Sequence, residues 1–288
     1  MEGVDRVWST AHKAPIWGYS ILSTALVFPF AGEPLYPLAL CPHLPERMAS
    51  SPKEAKTPQE MATDTVLNLL EMGYRPLAVV GDGQVVRSTF ARTLRLQGQA
   101  FVGRLGKKTR VVWGGRTWRA GDLLQTYPPG KARYYRALGV YAKRLSGVFW
   151  PTVGKVDLVL VWRARGEAWE GWVLVSTFGD GVQGVLRVWS ARWELEVAHR
   201  VYKQGLGLGE CRVRSFEGQM GHWELVVEAY HRVRKVVVAN PGMPFRMAKA
   251  VALQGSLADR GLADAIPTGF PGPSPPRKRL QKGGGNRG

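Results

Sequence analysis

Over the first 45 residues the apolar positions fall in short runs, Val4–Ser9, Tyr19–Phe28 and Leu35–Leu40, punctuated by Pro and Gly, a pattern that predicts strands. The uncharged stretch Ala14–Ala31 is 18 residues long, the lower edge of a membrane span. Pro15 and Pro29 bracket it and Gly18, Ser20, Ser23 and Thr24 interrupt it, so it reads as buried strand and no membrane association is expected. No signal-peptide pattern surrounds it. A polar segment, Ser50–Lys56, leads to Thr57-Pro58-Gln59-Glu60, where Thr57 is an N-cap, Pro58 takes the first helical position and Glu60 closes a capping box. Met61, Val66, Leu69 and Leu70 give that helix its apolar side, and Gly73 ends it. The run Pro76–Val80 then predicts a buried strand that stops at Gly81-Asp82-Gly83 and delivers an acid at its C-terminal end, ahead of a second helix from about Val86 to Leu96.

From Phe101 to Gly171 short β-like runs (Arg110–Trp113, Ala137–Tyr141, Val156–Trp162) alternate with Gly, Pro and charge. Trp172–Thr177 returns to a buried strand. Gly181 to about Gly205 predicts one long amphipathic helix, and Trp223–Val233 a shorter one. Beyond Asn240 the chain turns Pro/Gly-rich, and from Pro271 it is low-complexity and basic, with too few apolar residues to fold. The organisation expected is 1–100, a basic β-rich segment 101–171, a second folded part 172–240, and a disordered tail 241–288. No internal repeat is present.

Charge changes this picture more than composition does. At 45% hydrophobic and 10% aromatic, the 288 residues carry ample material for a packed core. Forty Lys and Arg against 22 Asp and Glu leave a net charge of +18, which points to a polyanionic partner. The segment 101–171 holds 14 Lys and Arg against 4 Asp and Glu, interleaved with Trp113, Trp118, Trp150, Trp162 and Trp169. Those tryptophans either grip DNA by stacking or form the core of a small β domain. Two cysteines, Cys41 and Cys211, exclude a disulfide framework and a Cys-only zinc site. The five histidines, His12, His43, His199, His222 and His231, show no metal spacing, and Gly205-Leu206-Gly207-Leu208-Gly209 follows a helix and so is not a phosphate loop.

The chemistry concentrates on the helix from Gly181. At 100° per residue Arg192, Glu196 and Lys203 lie within about 40° of one another, Trp189 begins the same strip, and Val182, Leu186, Trp193, Val197 and Val201 form the neighbouring apolar stripe. Taken alone, Arg192–Glu196 is a surface i,i+4 pair worth a few tenths of a kcal/mol. Two further acids stand beside predicted strands, Asp5 before the first and Asp82 at the end of another.

Trp189-x2-Arg192-x3-Glu196-x6-Lys203 resembles the Tyr-Arg-Glu-Lys signature of the Asp-Asp-Glu transposases encoded by bacterial insertion sequences, with Trp in place of the family's Tyr. Val175-Ser176-Thr177 on the preceding strand, Val80-Gly81-Asp82-Gly83, and His222-Trp223 with Ala229-Tyr230 resemble that family's surroundings, so the similarity covers about Asp5 to Val233. The resemblance implies an α/β, ribonuclease H-like mixed sheet flanked by helices and interrupted by a β-rich insertion at 101–171. It also implies that Asp5, Asp82 and Glu196 converge as catalytic metal ligands for two Mg²⁺ ions (Mn²⁺ substituting) roughly 3.5–4 Å apart. Arg192 and Lys203 would hold phosphates of the transposon end, and Trp189 would stack on a base, pack beside the scissile phosphate, or simply fill the core. The implied activity is metal-dependent cleavage and strand transfer on double-stranded DNA, by a homodimer in the cytoplasm at the nucleoid.

The family usually places a DNA-end-binding domain ahead of its first Asp and a Thr just after it, whereas four residues precede Asp5 and Arg6-Val7-Trp8-Ser9-Thr10 follow. The resemblance is therefore to an N-terminally truncated member. Asp5 is the first ligand of that shortened frame, or the chain is an inactive remnant that only binds DNA. A ribonuclease H-like nuclease with other substrates is the third reading.

Overall fold

A computed structural model describes the backbone of residues 5–9, 14–18, 20–28, 35–43 and 56–258, and the side chains of 20–28, 35–43 and 56–255. The local signals at Thr57 set the first helix as expected. The Glu60 amide donates to Thr57 Oγ1 at 3.3 Å and the Thr57 amide donates to the Glu60 carboxylate at 2.7 Å, closing the box in both directions. Gly73, at φ +92°, follows that helix in the left-handed region open to glycine.

In chain order the elements are β1 (Asp5–Ser9), β2 (Ala14–Gly18), β3 (Ser20–Val27), β4 (Leu35–His43), α1 (Pro58–Glu71), β5 (Val79–Gly81), α2 (Ser88–Leu96), β6 (Phe101–Leu105), β7 (Arg110–Trp113) and β8 (Arg116–Arg119). They continue as α3 (Ala120–Thr126), β9 (Arg133–Tyr135), β10 (Val140–Trp150), β11 (Gly154–Arg165), β12 (Ala168–Ser176), α4 (Gly181–Ala191), α5 (Trp193–Gly205), α6 (Phe216–Ala239) and α7 (Phe245–Ala258). The fold is mixed α/β. An eight-stranded sheet runs β5-β6-β12-β11-β10-β7-β8, with β9 beside β10. β5 and β6 are parallel and β6–β12, β12–β11 and β11–β10 antiparallel, so the sheet is mixed. The β-rich segment 101–171 is thus not set apart in a sheet of its own, because β12 returns beside β6 and fuses it to β5.

Alternation on β11 explains the layering. Val156, Leu158, Leu160 and Trp162 face one core with Phe90 and Leu94 of α2 and Leu123 of α3, while Val159 and Val161 face a second core with Val185 and Leu186 of α4. A third core joins the β3–β4 hairpin (Leu35, Leu40) to Ala198 and Tyr202 of α5 and to Trp223, Val226 and Tyr230 of α6.

Two compact units divide inside α6, the first ending at His231 and the second beginning at Arg232. The second holds the end of α6 and α7, joined by a turn in which the Met243 amide donates to the Asn240 carbonyl. Here the expectation of a disordered tail from 241 is corrected. Pro241-Gly242-Met243-Pro244 is only the connection, and Phe245, Met247, Ala248, Val251 and Leu253 supply the apolar content of a helix, with Ala248 buried. The rest of the low-complexity tail lies outside the described residues. No helix among the described residues is long and apolar enough to cross a membrane.

The expected single helix Gly181–Gly205 is also corrected, since it is two helices meeting at Arg192. There the Leu195 amide donates to the Arg192 carbonyl three residues back, tightening the turn. Trp193 is 53% exposed rather than part of the apolar stripe, and Leu195, Ala198 and Tyr202 take the core-facing positions of α5.

Candidate functional site

Asp82 follows β5, at the end of the sheet towards which the parallel strands β5 and β6 both run. Its Oδ1 accepts the amides of Gln84 (2.8 Å) and Val85 (3.1 Å), and its carbonyl accepts the Val86 amide (2.9 Å), so the carboxylate closes its own turn. Glycine makes that turn fit. A Cβ at Gly81 would stand 2.7 Å from Val86 Cγ2 and one at Gly103 of β6 2.5 Å from the same methyl, so Val86 seats only where both strands lack side chains.

Across from the turn stands the junction of α4 and α5. Asp82, Gly83, Gln84, Arg104, Trp189 and Arg192 line one cleft of about 380 Å³. The Arg192 guanidinium lies over the Trp189 ring, 5.0 Å from its centroid, and pairs through Nη1 with Glu196 Oε1. With the two side chains 31% and 39% exposed, that pair contributes only a few tenths of a kcal/mol. Arg192 Nε is buried and meets no hydrogen-bond partner among the described residues.

The structure thus gathers Asp82, Trp189 and Arg192 in one cleft and ties Glu196 to it through Arg192. Lys203 is exposed on α5 and is not among the residues that line the cleft. Asp5 lies on β1, which pairs with β2 in a two-stranded ribbon, and its side chain falls outside the described residues. Among the described residues no three His, Cys, Asp or Glu side chains are grouped as a metal site. Carboxylate oxygens are the donors Mg²⁺ takes, so Asp82 and Glu196 fit that ion in chemistry, while the Glu196 oxygen must exchange Arg192 for it.

Sequence reasoning missed Arg104, the exposed residue of an otherwise buried β6. Its signal was legible as the lone charge in Phe-Val-Gly-Arg-Leu, but only the β5–β6 pairing places it beside Asp82. A larger cleft of about 470 Å³, at the end where β6 begins, is lined by Arg95, Lys155, Asp157 and Thr177 among others. There Arg95 already donates to the Lys155 carbonyl and Asp157 pairs with Arg144, so the smaller cleft is the better candidate.

Three histidines serve the fold. His199 Nε2 sits 2.6 Å from Ser23 Oγ, and His222 and His231 meet the carbonyls of Gly207 and Pro37 at 2.9 and 3.1 Å. Burial holds the His199 imidazole below its ordinary pKa, and Lys203 pushes it the same way against Glu196. Burial, and then Tyr230, raise the Tyr202 hydroxyl above its ordinary range. In comparison with known proteins, no family model matches this chain and no curated protein matches it in sequence.

Proposed function

We propose that this chain is the catalytic core of an Asp-Asp-Glu transposase on a ribonuclease H-like fold, cleaving and transferring DNA strands at insertion-sequence ends. The observation that carries the reading is the cleft in which Asp82, at the end of a parallel strand, meets Trp189 and Arg192 of the four-residue signature, with Glu196 held by Arg192. Asp82 and Glu196 would hold Mg²⁺, for which Mn²⁺ substitutes, and Asp5 would complete the set. Bound there, the ion stabilises the charge that develops on the attacking and departing phosphodiester oxygens. Arg192 and Arg104 supply cationic donors for phosphate oxygens. Trp189 backs the Arg192 guanidinium. Lys203 would contact the DNA backbone outside the cleft. A homodimer on duplex DNA is part of the same proposal.

One observation favours a second reading, a protein that binds DNA without cleaving it: Glu196 is occupied by Arg192. Nicking of a plasmid carrying the DNA that flanks this reading frame distinguishes the two. The transposase reading expects nicking that requires Mg²⁺ or Mn²⁺ and disappears in both Asp82→Asn and Glu196→Gln. Retained binding with no metal-dependent nicking establishes the second reading.

A further inference from the structure

At the same end of the sheet as Asp82, three aromatic rings stand on β9, β10 and β12, with β11 between the last two. Tyr134 of β9 and Tyr141 of β10 are register partners with ring centroids 4.8 Å apart, and Tyr141 meets Trp169 of β12 edge-on at 5.3 Å. The register fixes their place: Val173 of β12 pairs with Leu105, and Gly81 of β5 pairs with Gly103, so the start of β12 and the C-terminal ends of β5 and β6 share one edge of the sheet. Tyr134 is 50% and Trp169 48% exposed, unlike Trp150 and Trp162 of the same segment, which are buried. Cations lie near the row. Lys143, two residues from Tyr141 and so on its face, lies 4.5 Å above the Tyr127 ring, and Lys131 and Arg136 are exposed to either side of β9, while Arg133 takes the opposite face, over the Tyr135 ring.

Half-exposed rings aligned on a sheet and framed by cations are the combination that takes unpaired nucleotides. Every base has an apolar π-face to stack, every linkage has a phosphate to neutralise, and a paired duplex hides those faces. We infer that Tyr134, Tyr141 and Trp169 form a stacking platform for single-stranded DNA. A protein partner would need an acidic surface to meet this charge and would show no preference for unpaired bases. The inference goes beyond the proposed cleavage activity and does not rest on the carboxylates.

The test is the affinity of the full chain for a fluorescein-labelled oligothymidylate and for a duplex of equal length, by anisotropy in excess EDTA. Tyr134→Ala and Trp169→Ala each weaken single-strand binding by about tenfold and leave duplex binding within about twofold, while Tyr134→Phe keeps the ring and the affinity. Phe149→Ala, at the far end of β10 and 49% exposed, changes neither. The platform is overturned if Tyr134→Ala and Trp169→Ala weaken single-strand binding no more than Phe149→Ala does, or if single-strand and duplex affinities fall together. Because no metal is present, this result stands apart from the fate of the nicking experiment.

Discussion

One oxygen of Asp82 is committed to the turn it closes, which separates what the side chain does for the fold from the chemistry proposed for it. Asn at this position keeps an Oδ1 that accepts the Gln84 and Val85 amides, whereas Ala leaves both donors without it. Urea unfolding is expected to place Asp82→Asn within about 0.5 kcal/mol of the parent and Asp82→Ala about 1 kcal/mol below it, although metal-dependent nicking is lost in both. His199 gives a pH signature. Its native pKa lies below the ordinary value of about 6.5, so in the window beneath that value the unfolded chain binds more protons than the folded one. Stability therefore rises with pH there, and falls as pH drops from about 6.5 through the lowered native value. His199→Gln removes this contribution, and urea midpoints measured at about pH 7 and pH 5 should differ less in the variant than in the parent.

Among the elements, those specified by neighbouring residues were legible and those specified by distant partners were not. The Thr57–Glu60 box sits within one turn, and Thr57→Ala should lower stability by about 1 kcal/mol in thermal or urea unfolding. The break at Arg192 was hidden because α4 and α5 are each amphipathic and no Pro or Gly marks the joint; what turns Trp193 outward is the tertiary demand that Ala198 and Tyr202 reach the β3–β4 hairpin. α7 was obscured by the Pro-Gly turn before it. The signature Trp189-Arg192-Glu196 was readable from helical spacing, but Arg104 becomes part of the site only through strand pairing, which no local pattern encodes. The same pairing yields a prediction: Gly103→Ala drives a methyl into Val86 and should destabilise the chain by about 1–3 kcal/mol, with partial rescue by Val86→Ala in a double-mutant cycle.

For the whole molecule, the charge of +18 would set how DNA is held in the proposed complex. Each phosphate neutralised releases counterions, so affinity for duplex DNA is expected to fall at least tenfold between about 50 and 200 mM salt, read by anisotropy titration. A slope near zero would mean that the cations face away from the DNA. The fused sheet has a consequence of another kind. β11 covers one whole edge of β12, and β12 in turn secures β6, the neighbour of the strand that ends at Asp82. The basic region between β6 and β12 is therefore no detachable cassette. Cutting it out should yield insoluble or unfolded protein rather than a folded catalytic remnant, and grafting it elsewhere would carry a sheet with a raw edge.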